Sequence, residues 1–159
     1  MAVFTHTFTA VAVSALQDLF SIVAPSTGIV VLHRCTISQT SDYKDAEDEG
    51  LLVVIERGAA TAGSGGSAVT AAAKGPDPFV PTWTATVRTN DTTRAVVGGG
   101  SIQQLHAEVW QVRDTFDYLP LPENRIIVAP SQRLVVALTA APADALTVNG
   151  TIVFEQLGG

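Results

Sequence analysis

Side chains able to do chemistry are few in this sequence, and their spacing limits what they can do. His33 and Cys35 stand two apart in a segment that reads as a strand, so both can point at one ion. Zinc needs three or four such ligands held together, and nothing at local spacing completes the set. A core or edge histidine beside a small buried thiol is the favoured reading. Cys35 is the one cysteine of the chain, which excludes an intrachain disulfide. The run Asp42, Asp45, Glu47, Asp48, Glu49 offers oxygens to calcium, an ion that takes six to eight of them. Lys44 sits inside the run and the EF-hand spacing is missing, so a solvated charged loop is preferred.

Catalytic patterns are equally incomplete. Gly63-Ser-Gly-Gly-Ser67 lacks the strand before and the helix after that a nucleophile elbow requires. Gly98-Gly-Gly100 is not followed by the Lys-Ser/Thr of a phosphate loop. Glu108 and Asp114 take no acid and base roles without a cleft to separate their environments. Asn90-Asp-Thr92 and Asn149-Gly-Thr151 match glycosylation sequons, which matter only in a secretory setting. The segment Gly28 to Cys35 lacks the His-x-His and downstream Glu of cupin metal sites, which leaves a cupin-like metalloenzyme as a minor alternative. No catalytic residue, metal site or cofactor is expected, and the chain is read as a non-enzyme.

The elements that would position these residues are strands. Val3–Ser14, Leu19–Val23, Gly28–Ser38, Leu51–Arg57, Thr82–Arg88, Ile102–Arg113, Arg125–Val128, Arg133–Thr139 and a final run from Leu146 are β-branched or alternating. In the last, Leu146, Val148, Ile152 and Phe154 share one face and Thr147, Asn149, Thr151 and Glu155 the other, with Gly150 marking a bulge. Gly28–Ser38 alternates Ile29, Val31, His33, Cys35, Ile37 against Val30, Leu32, Arg34, Thr36. Only Asp42–Glu49, after Ser41, suggests a short helix. The expectation is all-β: a single domain over 1–159, a β-sandwich or jelly roll of about eight or nine antiparallel strands.

Two features interrupt the strands. Ile22-Val-Ala-Pro-Ser-Thr-Gly-Ile-Val-Val31 is echoed by Ile127-Val-Ala-Pro-Ser-Gln-Arg-Leu-Val-Val136, two corners of like chemistry. Residues 58–81 form one long excursion: a small-residue tract to Gly75, then Pro76-Asp-Pro-Phe79-Val80-Pro81. Long loops of this kind serve function or stay mobile. Phe79 and Val80, with Phe116, Tyr118 and Leu119 of a second loop at 114–123, are the candidate interface residues.

Composition points the same way. Charged residues make up 15% of the chain, where about 25% is usual. Mean hydropathy is +0.30. Such a surface is cheap to desolvate, because few ions must be stripped of water, and this suits a permanent assembly. Net charge is −6 with nine Lys and Arg, so affinity for nucleic acid, which rests on neutralising phosphates, is not expected. No basic segment precedes a long apolar run, and no stretch matches a membrane span, so a soluble chain made in a cytoplasm is expected.

Several stretches taken together resemble the capsid decoration, or cement, proteins of tailed bacteriophages. They are Asp18-Leu-Phe-Ser-Ile-Val-Ala-Pro25, Leu32-His-Arg-Cys-Thr-Ile-Ser-Gln-Thr-Ser-Asp42, Phe116-Asp-Tyr-Leu-Pro-Leu-Pro122, Ala140-Ala-Pro-Ala-Asp-Ala-Leu146 and Gly150-Thr-Ile-Val-Phe154. The resemblance covers most of the chain outside the small-residue excursion. It implies a β-sandwich on the outer surface of the virion, bound to the major capsid protein, stabilising the shell as a homo-oligomer, by analogy a trimer. Net negative charge suits a place outside the packaged genome. The alternative is a carbohydrate- or receptor-binding β-sandwich module of a phage tail or fibre, in which Trp83, Trp110 and Tyr118 stack on sugar rings.

Overall fold

The computed structural model describes residues 2–43, 48–75 and 85–158. Its strands are β1 (Ala2–Val13), β2 (Gln17–Val23), β3 (Gly28–Gln39), β4 (Gly50–Arg57), β5 (Ser67–Val69), β6 (Ala72–Ala73), β7 (Thr86–Asp91), β8 (Gln103–Gln111), β9 (Phe116–Tyr118), β10 (Ile127–Val128), β11 (Arg133–Leu138) and β12 (Leu146–Gly158). The chain is therefore all-β, as expected, with twelve strands where eight or nine were expected. Eight of the nine expected strands are matched by observed ones, the expected Thr82–Arg88 is met by β7 from Thr86 onward with 82–84 outside the described residues, and the additions are the short β5, β6 and β9. Residues Asp42, Tyr43, Asp48 and Glu49 are not helical, and the rest of the expected helix lies outside the described residues.

The strands form two six-stranded antiparallel sheets. The first has the order β10-β3-β12-β1-β6, with β9 also on the free edge of β3; the second has the order β5-β7-β2-β11-β4-β8. Setting aside β5, β6 and β7, which lie between β4 and β8 in the chain, and counting β9 and β10, which share the outer edge of β3, as one strand leaves β1-β12-β3-β9 facing β2-β11-β4-β8. Numbered by sequence, these are 1-8-3-6 and 2-7-4-5, the order produced by rolling one long hairpin into a jelly roll.

That rolling accounts for the echoed corners. β2 pairs with β11 (Val23 opposite Arg133) while β3 pairs with β10 (Val31 opposite Ile127), so the two Ala-Pro-Ser passages cross between the sheets side by side. Ala24 N–H donates to Gln132 O at 3.0 Å and Ser131 N–H to Pro25 O at 3.3 Å. Each strand must leave its ladder at this point, and proline, with no N–H and a fixed φ, ends a ladder cleanly.

The described part of the excursion is laid onto the sandwich. β6 pairs with β1 and β5 with β7, so it supplies the last strand of both sheets at one edge. Bridges Thr61–Val96 and Ser64–Thr93 tie it to the following loop. Under them Val54, Ala59, Ala95, Val135 and Ala137 form a small second core on the outer face of the second sheet. Residues 76–84 lie outside the described residues, and with them Phe79, Val80 and Trp83.

The main core fills the space between the sheets, with Phe4, Phe8, Phe20, Trp110, Phe116 and Phe154 its largest members. The alternation expected in β3 changes phase. Val30 and Leu32 point inward, then Cys35 and Ile37 do, because His33 is the extra residue of a bulge where Leu32 faces Phe154 and Arg34 faces Val153. Gly150 lies in regular register with Ile37; the neighbouring bulge belongs to β1, between Phe8 and Val11. The glycine is there for space, since a Cβ would meet the Phe8 ring at 2.6 Å and Phe20 at 3.0 Å. Gly150→Val is accordingly expected to destabilise the fold by about 1–3 kcal/mol, read as a lower denaturation midpoint at unchanged slope. An unchanged midpoint would show that the two rings move aside freely.

Candidate interaction surface

The residues singled out for chemistry are dispersed. Cys35 is buried, and burial pushes its thiol pKa well up, which keeps it protonated. The bulge turns His33 away from it, to Glu155, whose Oε2 lies 3.0 Å from His33 Nε2. His6 lies on β1, separated from β3 by β12 in the same sheet, and its pKa is lowered by burial, against a backbone hydrogen bond at Thr70. Among the described residues no three His, Cys, Asp or Glu side chains gather as a metal site requires. Glu108 sits beside His106 at 3.2 Å, while Asp114 takes the indole N–H of Trp110 on its carbonyl at 2.9 Å. A cavity of about 410 Å³ opens between β1 and the β5–β7 side, lined by His6, Phe8, Gln17, Asn90 and Thr92 among others. A second, of about 300 Å³, lies beside Arg57, Ser101, Gln103 and Arg133.

Of the expected interface residues, Phe116 is buried at 3% exposure and packs in the core, so it has no surface to offer. The reason is its register: it pairs with Ile37, an inward residue of β3. Tyr118 is partly buried against that core, and its ring lies 4.8 Å from His106. Leu119 is 65% exposed, and Leu121, two residues on, is 62% exposed. Trp110 is 2% exposed and cannot stack on a ligand.

Exposed large apolar side chains concentrate along one edge. Leu52, Leu105 and Val109 lie on β4 and β8, and Leu119, Leu121 and Ile127 lie on and between β9 and β10. The two groups are neighbours. His106 of β8 touches Tyr118, and Arg57 at the end of β4 donates to Ile127 O at 2.7 Å and to Gln103 Oε1 at 3.1 Å. Among the described residues the other members of this class, Leu16, Tyr43, Val96 and Val97, lie elsewhere in the chain. Leu52 and Val109 lie on the outer face of the second sheet and Ile127 on that of the first, so apolar side chains flank this edge of the jelly roll on both sides, a place for another protein surface.

The opposite half of the second sheet is built differently, and spacing in the sequence gave no notice of it. Asp18, fully buried, accepts from Arg94 Nε at 3.0 Å and from Ala95 N–H at 2.6 Å. Arg94 also reaches Glu56 at 2.6 Å. Arg88 grips Asp91 with two bonds, 2.6 and 3.0 Å, and Asp91 accepts from Gly66 N–H at 3.0 Å. Arg133 donates to Ser21 Oγ at 2.9 Å. Burial pushes the Asp18 and Glu56 carboxyl pKa values up, with Arg94 pulling against it, and pushes Arg133 down. These pairs clamp the 58–66 and 91–95 loops onto the sheet.

Set against known protein families, characterised proteins and solved structures, the chain matches none of them.

Proposed function

We propose that this protein binds the outer surface of a tailed-phage capsid and stabilises the shell, with the apolar edge formed by β4, β8 and the β9–β10 segment as a contact surface. The observation that carries the reading is the gathering of Leu52, Leu105, Val109, Leu119, Leu121 and Ile127 on that edge of a domain with 15% charged residues. The sequence resemblance supports the choice of partner, and the dispersal of its reactive side chains gives no competing chemistry. Each leucine buried against a partner contributes about 1.5–3 kcal/mol, and a symmetric lattice multiplies modest contacts through effective concentration.

Purified protein mixed with heads that lack it is expected to bind stoichiometrically, measured by co-sedimentation. The double variant Leu119→Asp, Leu121→Asp leaves the fold intact, because both side chains are mostly exposed, and weakens binding about a hundredfold or more. Failure of the wild-type chain to bind any head would overturn the proposal. Undiminished binding by the double variant would move the contact away from this loop.

A further inference from the structure

Sheet edges present unpaired N–H and C=O groups, and proteins usually blunt them with short strands, lysine, proline or bulges. Three of the sheet ends here are short: β6 has two residues, β5 three, and the free side of β3 is covered by the two- and three-residue β10 and β9. The fourth is β8, nine residues long, with no further strand beside it among the described residues. Between His106 and Gln111 it holds no lysine or proline, and its bulge falls at Leu105, outside that stretch.

The phase of the open edge follows from the β4 ladder. Val112 N–H donates to Glu49 O at 3.1 Å, so Trp110, Glu108 and His106 also turn their backbone groups toward β4. Ala107, Val109 and Gln111 turn theirs outward. We infer that this edge pairs with the same edge of a second copy of the chain, antiparallel, about a two-fold axis at Val109. In that register Ala107 faces Gln111 of the other copy, Val109 faces Val109, and Gln111 faces Ala107. Each facing pair exchanges both of its backbone bonds, and no bulged residue enters the ladder.

Side chains select the same axis. Val109 is 64% exposed and lies opposite Leu52, itself 39% exposed, so the axis creates a cross-strand row Leu52–Val109–Val109–Leu52 of apolar residues. Gly50 admits the valine, since a Cβ there would meet Val109 Cγ1 at 2.8 Å. An axis at Glu108 would set two carboxylates face to face, and one at Ala107 would send the ladder through the bulge at Leu105. With the axis at Val109, each Glu108 lies opposite the other copy's Trp110 and keeps its own His106 at 3.2 Å. A two-fold contact uses one patch twice and closes both open edges, so assembly stops at the pair. Pairing at β8 gives a dimer, in place of the trimer implied by the family resemblance, and leaves the Leu119–Leu121 segment outside the ladder.

The test needs no shell, so its outcome is separate from that of shell binding. In sedimentation equilibrium the wild-type chain is expected at twice its 16.6 kDa mass, and Val109→Lys, which sets two ammonium groups at the axis, at the single mass with an unchanged far-ultraviolet circular-dichroism spectrum. Val109→Cys is expected to form a disulfide-linked dimer under mild oxidation, Cys35 being buried, while Leu105→Cys does so at least tenfold more slowly. A monomeric or trimeric wild type, a Val109→Lys variant that still dimerises, or equal cross-linking at 105 and 109 would each overturn the inference.

Discussion

Asp18→Ala is expected to lower the unfolding free energy by about 3–5 kcal/mol, measured by urea denaturation at neutral pH. The carboxylate is fully buried and serves two donors, Arg94 Nε and Ala95 N–H. Truncation leaves a buried amide without an acceptor and a guanidinium with Glu56 as its only carboxylate. The 91–95 loop would then come away from the sheet, uncovering Val135 and Ala137. Asp18→Asn keeps an acceptor for one donor and should cost less, about 1–2 kcal/mol. The pH dependence carries a sign opposite to that of a surface ion pair. Burial raises the folded-state pKa of Asp18 and Glu56, so the folded chain binds these protons at higher pH than the unfolded chain does. The group's contribution is fully present below the ordinary carboxylate range and falls as pH rises through the raised values. Wild type should therefore gain on Asp18→Asn between pH 7 and pH 4. A gap that narrows on acidification would contradict this account.

Trp110→Ala should cost a comparable amount, about 3–5 kcal/mol, for a different reason. The indole fills the core where β8 closes the sandwich, and its N–H fixes the turn into β9 through Asp114 O. Removal leaves a cavity between the last strand of the second sheet and the β9 edge of the first. Loss of tryptophan burial, faster amide exchange along β8 and a lower melting temperature should appear together. Ligand binding lost at full thermal stability would instead mark Trp110 as a contact residue, which its burial argues against.

Strand existence was legible because inward and outward residues alternate over long runs, most clearly from Leu146 to Phe154. β5, β6 and β9 were not, since two or three residues carry no period and the first two are built from small side chains. The phase change at His33 was hidden because both candidate faces of β3 are apolar: Ile29 and Val31 on one side, Val30 and Leu32 on the other. Within the charged clamp, the links from Arg94 to Asp18 and to Glu56 join residues 76 and 38 positions apart, which no local spacing reveals. Its one available signal was chemical: Asp18 opens Leu-Phe-Ser-Ile-Val and Glu56 closes Leu-Leu-Val-Val-Ile in a chain poor in charge. The Phe116 to Leu119 candidates split between core and surface because a three-residue strand sets alternate residues on opposite sides. Leu105 and Val109 were legible as strand residues, but that β8 ends a sheet is a fact of topology alone.

The place of β12 governs how the molecule can be made. It lies between β1 and β3, pairing with both along most of its length, yet it is the twelfth strand in chain order. During synthesis β1 and β3 emerge early and must wait, with their ladders open, until Leu146 onward has left the ribosome. Folding that depends on such distant pairings is slow, and waiting strands are prone to associate with the wrong neighbour. Low growth temperature and slow translation should therefore raise the soluble yield, and a chain cut before Leu146 should accumulate as aggregate.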